Sequence, residues 1–189
     1  MHTRDAKNHE EVWLLDRLDD YGFEDPAFRS RDYVLAVDEA TNERAGFARF
    51  RVHTPDDTAR VCEFTNIGVL DDWRGRGVGA HLLAYLVADA REQGIEEAYA
   101  LTDEPAYLDQ FGFERVDEAE LPPPLGDRLA ATRESQPDAE ALCVAFDAFE
   151  VPERLQRRFA GDDGSDDADA GEDFGIDSDT ATYKYDTGG

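Results

Sequence analysis

Lysine is almost missing from this chain. Lys7 and Lys184 are the only two in 189 residues; the other seventeen basic residues are arginines, set against 45 Asp plus Glu for a formal charge of −26. A surface this acidic repels phosphate backbones and excludes nucleic acid as a partner. It either attracts basic partners or keeps the chain hydrated in molar salt. Acidic residues run through nearly every segment, which favours the halophilic explanation. At molar salt the Debye length is only about 3 Å, so the acidity says little about substrate.

Cysteine is scarce as well. Cys62 and Cys143 lie in separate apolar runs with no CxxC spacing, which predicts a reduced, buried pair and no disulfide. His53 falls in a polar hairpin and His81 on a helix, neither with metal-ligand spacing, so no metal is expected. No apolar stretch is long enough to cross a membrane, and the N-terminus lacks a signal-peptide core. These absences predict a cytoplasmic protein with no membrane partner. Residues 161–189 also lack a hydrophobic pattern: ten acidic residues against one Lys, among Gly, Ser and Thr, predict a disordered acidic tail. Residues 1–160 are left as a single domain.

Within that domain the hydrophobic spacing is regular. Residues 9–19 place Val12 with Leu15, and Leu14 with Leu18, as a helical stripe. Strands are predicted at 33–37, 46–52 and 61–69, separated by a polar turn at 38–43 and a hairpin loop at 53–59. A helix over 78–93 ends at Gly94. Beyond it the pattern gives a strand at 98–102, a short helix at 104–111 and a strand at 113–116. A helix around 125–134 follows the rigid Leu121-Pro122-Pro123-Pro124 connector, then a strand at 141–149 and a helix at 152–159. An antiparallel meander followed by a βα crossover makes the fold class α+β.

The segment Ile67-Gly68-Val69-Leu70-Asp71-Asp72-Trp73-Arg74-Gly75-Arg76-Gly77-Val78-Gly79 carries the chemistry. Three alternating glycines open the 78–93 helix directly after a strand. Such a turn aims unpaired backbone N–H groups, and the positive end of the helix dipole, at one point. That is an anion site, most naturally for phosphate. No Lys, Ser or Thr follows Gly79, which removes the P-loop pattern, and glycines spaced by two remove the dinucleotide fingerprint.

What remains resembles the cofactor loop of the GNAT N-acetyltransferase family, with Asp71 where proline is commonest. Leu108-Asp109-Gln110-Phe111-Gly112-Phe113-Glu114-Arg115-Val116 is similar to that family's Y-x-x-x-G-F-x-x-V segment. The resemblance implies the GNAT fold: a mixed central sheet with a splayed cofactor strand, flanked by helices. It also implies acetyl-CoA as cosubstrate and direct, ternary-complex transfer to a primary amine. Gly75, Arg76, Gly77, Val78, Gly79 and Ala80 would surround the pyrophosphate, with side-chain charge from Arg74 and from Arg76 unless it faces solvent. Ile67 and Val69 would offer backbone groups to the pantetheine arm. Gly68 suits either the family's strand bulge or tight packing without ligand contact.

Two catalytic positions follow from the same resemblance. Glu63 shares a face with Thr65, Ile67 and Val69 by period two. It is either the base that deprotonates the amine or a structural carboxylate paired with Arg49 or Arg51. Leu108 stands at the family's tyrosine position, so the general acid is either Tyr107, one residue earlier, or solvent. No cysteine is placed for a covalent acetyl-enzyme. Leu101-Thr102, Tyr107-Leu108, Gly112-Phe113 and Glu120-Leu121-Pro122 resemble N-acetylglutamate synthase-type acetyltransferases more narrowly. This implies a small-molecule acceptor, an amino acid or related amine, whose carboxylate would need Arg29, Arg31, Arg49 or Arg51. The competing expectations are a peptide or protein N-acetyltransferase and a non-catalytic CoA-binding module. Family precedent adds a homodimer.

Overall fold

The computed structural model describes residues 1–54 and 60–160; the acidic tail and most of the 53–59 hairpin loop lie outside the described residues. Seven strands form one mixed sheet in the order β1-β2-β3-β4-β5-β7-β6. The strands are β1 (His2–Asp5), β2 (Tyr33–Val37), β3 (Arg44–His53), β4 (Val61–Val69), β5 (Glu97–Thr102), β6 (Glu114–Arg115) and β7 (Glu140–Ala145). The helices are α1 (Glu11–Tyr21), α2 (Val78–Glu92), α3 (Pro105–Asp109), α4 (Pro123–Ser135) and α5 (Glu153–Ala160). β1 to β4 form an antiparallel meander, and the α2 crossover makes β5 parallel to β4. The predicted fold class and meander-then-crossover order are those found.

Strand alternation assigns the layers. Val34 and Ala36 of β2, Cys62 and Phe64 of β4, Ala98 and Ala100 of β5, and Leu142 and Val144 of β7 point to one face. There they meet Val78, Leu82, Leu83, Leu86 and Ala90 along α2, with Leu108 of α3 and Leu155 of α5. Tyr33, Leu35, Val37 and Phe47 point the other way, against Leu14 and Leu18 of α1. On that second face, beyond the middle of the sheet, Leu129 of α4 packs with Ala139, Ala141 and Leu101. A continuous apolar strand such as β2 is thus buried on both faces, and the second face of β3 and β4 carries buried Arg49 and Glu63 between α1 and α4.

Several elements differ from the sequence expectation. β1 was not legible: four mostly polar residues gain strand structure only by pairing with β2. The α1 stripe is narrower than predicted, because Leu14 and Leu18 are buried while Val12 is 70% and Leu15 44% exposed. β7 stops at Ala145, where Phe146–Ala148 forms a 3-10 turn. Cys62 is buried but Cys143 only partly so, and both are free thiols.

The largest correction concerns β4. Phe47 pairs with Gly68 and Arg49 with Thr65, so β4 carries one extra residue there. Asn66 takes the left-handed conformation, with φ +51°. An inserted residue reverses the side-chain alternation beyond it. Ile67 and Val69 therefore join the α2 face, opposite Glu63, instead of sharing its face. Gly68 is not the distorted residue. It is required because the Phe47 ring lies against its Cα: a Cβ there would sit 2.4 Å from Cζ.

Candidate active site

β4 and β5 are joined by a single parallel pair, Glu63 opposite Tyr99. Beyond it the strands diverge, and a cleft of about 790 Å³ opens between them, a size suited to a cofactor or a small ligand. Ile67 and Val69 line one side, and Ala100 and Thr102 the other. At one end lie Trp73, Arg74, Gly75, Gly77, Val78 and Gly79. The loop after α1 (Gly22 to Glu24) and Arg128, Thr132 and Ser135 of α4 also line the cleft. Its charged lining is Glu24, Asp103 and Glu104 against Arg74, Arg128 and Arg154. The cleft is balanced in a chain that is otherwise strongly acidic, which removes the repulsion an anionic ligand would meet elsewhere.

The glycine turn has the geometry its spacing predicts. Gly75 and Gly77 take φ +75° and +85°, and Gly77 is the residue from which α2 springs. A side chain at either would strain the turn. The first-turn N–H groups of α2 accordingly open on the cleft. Arg74 lines it, with Asp71 3.2 Å away. Arg76 stacks on Trp73, its Cζ 5.0 Å from the ring centre, and does not line the cleft; Ala80 is buried behind the turn. Gly79 is needed for a further reason: the Tyr107 hydroxyl rests against it, where a Cβ would come within 2.2 Å.

Tyr107 thus lies inside the cleft, 39% exposed, and Leu108 borders it from the core, 4% exposed. Burial pushes the Tyr107 phenol up to about 12, with the Arg154 charge opposing. At neutral pH the group is a proton donor and not a base. Tyr21 reaches the same wall from α1 and donates a 2.5 Å hydrogen bond to the Val69 carbonyl. That bond ties the end of β4 to α1.

Glu63 is placed differently. It is fully buried and absent from the cleft lining. Nε2 of His53 donates to its Oε2 at 2.7 Å, Nη2 of Arg128 to Oε1 at 3.0 Å and Nε of Arg128 to Oε2 at 3.3 Å. Burial raises the pKa of this carboxyl, but the bonds from His53 and Arg128 outweigh it and hold the group below the usual carboxylate range. The alternative expectation, an Arg-paired carboxylate, describes this arrangement, with Arg128 in place of Arg49 or Arg51. Arg49 is itself buried and committed to Asp25, Asp32 and the Ala27 carbonyl. Asp25 also accepts from Tyr33 (2.6 Å), whose hydroxyl accepts from the Asn66 amide at 2.8 Å. The bulge and the loop after α1 are thereby fixed to each other.

Two residues set aside or unnamed at the sequence level matter here. His53 holds Glu63, and Arg128 lines the cleft. The signal for Arg128 was faint: an arginine beside the buried Leu125 and Leu129 stripe of a helix, one among seventeen. Among the described residues no cluster of His, Cys, Asp or Glu could hold a metal.

Residues 2–113, well over half of the chain, match the Acetyltransferase (GNAT) family. The chain belongs to that family. The chain shares its fold with N-acetylglutamate synthase from Neisseria gonorrhoeae complexed with coenzyme A and N-acetyl-glutamate, at TM-score 0.62 and 19% identity. That likeness covers 77% of this chain and 35% of the synthase, so the chain spans about a third of the synthase's length. Arabidopsis thaliana Naa50, in complex with the bisubstrate analogue CoA-Ac-MVNAL, is similar at TM-score 0.56 and 16% identity, over 76% of this chain and 97% of that one. Ribosomal-protein-alanine N-acetyltransferase from Brucella melitensis is similar at 0.55 and 21%, over 77% and 99%. No curated protein is similar enough in sequence to match the chain. No helix among the described residues is long and apolar enough to cross a membrane.

Proposed function

We propose that this acetyltransferase moves the acetyl group of acetyl-CoA directly to the primary amine of a small molecule. The observation that carries the proposal is the gap beyond the Glu63–Tyr99 pair, opening beside the N-terminus of α2. A linear ligand with an anionic middle fits such a place: backbone N–H groups of α2 for the anion, and the unpaired edge of β4 for an amide-rich arm, as an added strand. Bound there, acetyl-CoA supplies an activated acyl thioester.

The chain's own groups divide the remaining work. Gly77, Val78 and Gly79 present N–H groups at the glycine turn, with Arg74 adding charge. Ile67 and Val69 hold the extended arm. Tyr107 keeps a proton on Oη for the departing thiolate. Glu63, fully buried, away from the cleft lining and with its basicity lowered by three bonds, does not reach the acceptor, so the amine loses its proton to water. Neither cysteine enters, because burial pushes the Cys62 thiol up to about 12 and the Cys143 thiol up to about 11.

The test is thiol release from acetyl-CoA across amino acids, polyamines and peptides, alongside calorimetric CoA binding. We expect turnover with a small amine and loss of CoA binding in Gly77→Glu. Tight CoA binding with no turnover would favour a binding module, and turnover confined to peptides would favour the peptide reading. Tyr107→Phe should lower kcat by roughly 100-fold with KM for acetyl-CoA unchanged. A rise in KM alone would make Tyr107 a cofactor contact.

A further inference from the structure

We propose that Arg128 is the receptor for a carboxylate on the acceptor, so that the substrate is an amino acid and not a simple amine. This rests on the small-molecule reading above and concerns the α4 wall of the cleft, not the glycine turn. A guanidinium has five N–H donors in two forks. Glu63 takes one fork of Arg128, through Nε and Nη2. The other, Nη1 with the outer hydrogen of Nη2, donates to no described residue, and Arg128 lines the cleft with its side chain 22% exposed. That fork has the spacing of a carboxylate.

The support beneath Arg128 is costly unless it serves recognition. A fully buried carboxylate held by an arginine and a histidine is no more stable than an apolar pair of similar volume. What the pairing does provide is a guanidinium fixed in one orientation before substrate arrives. Arg51 adds to the case. It stands opposite Glu63 in the β3–β4 register, half-buried, with no ion pair or hydrogen bond among the described residues. Burial, and after it the charges of Arg128 and Arg49, lower its pKa. Arg49 is neutralised by Asp25 and Asp32. Glu63 therefore faces both Arg128 and Arg51, and it leaves the outer fork of Arg128 without a carboxylate. Thr132, one turn beyond Arg128 on α4, lines the same wall, its hydroxyl donating to the Arg128 carbonyl at 2.9 Å. All of α4 lies beyond residue 113, where the family match ends.

The experiment uses matched pairs on the unaltered protein: amino acids against their amides and their decarboxylated amines. Rates of CoA release are measured, and binding of the same compounds to the CoA-loaded protein is followed by calorimetry. We expect kcat/KM for the acid to exceed that for its amide by roughly 100-fold, the scale of a charge-assisted bidentate contact. Arg128→Gln should remove that preference, mostly through KM for the acceptor. Glu63→Gln, acting only by positioning Arg128, should raise the same KM while leaving KM for acetyl-CoA unchanged. Equal kcat/KM or equal binding for acid and amide would overturn the proposal. If no acceptor releases CoA, yet acids bind more tightly than amides and Arg128→Gln abolishes the difference, the transferase reading fails and the carboxylate receptor stands.

Discussion

Glu10 offers a stability measurement whose size follows from the geometry. Its side chain is 1% exposed and accepts both Nη groups of Arg4 at 2.8 and 2.9 Å, Nε of Arg44 at 2.9 Å and the Lys7 backbone N–H at 2.9 Å. The Arg4 bonds, opposed by burial and aided by Lys7 and Arg44, lower its pKa from 4.5 to about 2. That difference corresponds to about 3 kcal/mol of folding stability. Arg4 and Arg44 are 26% and 32% exposed, and water screening at their outer edges brings the expected value to about 2 kcal/mol. Because the folded-state pKa is depressed, the contribution is fully present above pH 4.5 and is lost as pH falls towards 2. Urea unfolding of Glu10→Gln at constant ionic strength should therefore show a deficit of about 2 kcal/mol at pH 7 that shrinks steadily below pH 4.5. A deficit equally large at pH 7 and pH 3 would refute the electrostatic origin and assign the effect to packing. The site matters because Glu10 ties β1 and β3 to the start of α1, the helix whose far end walls the cleft.

Two further outcomes are expected. Gly68→Ala should cost about 2 kcal/mol in chemical denaturation, since Phe47 is fully buried, with edge contacts to Trp13 and Tyr21, and cannot yield to a new methyl. Iodoacetamide at pH 7.5 should label Cys62 far more slowly than an unfolded thiol, and mass spectrometry after incubation with acetyl-CoA should find no acetylated cysteine.

The glycine-turn end of the cleft was legible because its geometry is local. Gly75 and Gly77 need positive φ and Gly79 needs close approach, and those requirements fall on consecutive residues whose spacing can be read directly. The second face of the sheet was not legible, for a different reason. The side chain that holds Glu63 comes from position 128, some sixty residues away and on a helix whose arginine resembles any surface arginine. Period-two counting failed at the same place: the extra residue at Asn66 reverses the alternation, and an asparagine within a strand-like run does not announce itself as left-handed. His53 was misjudged because a polar hairpin end looks solvated until β4 brings a carboxylate beside it. β1 had no apolar pattern at all and depends wholly on the neighbour it pairs with.

Glu63 joins the two halves of the sheet twice, by backbone to Tyr99 of β5 and by side chain to Arg128 of α4. One buried carboxylate thus serves the sheet junction and the α4 wall of the cleft, and a change at Glu63 acts on both together.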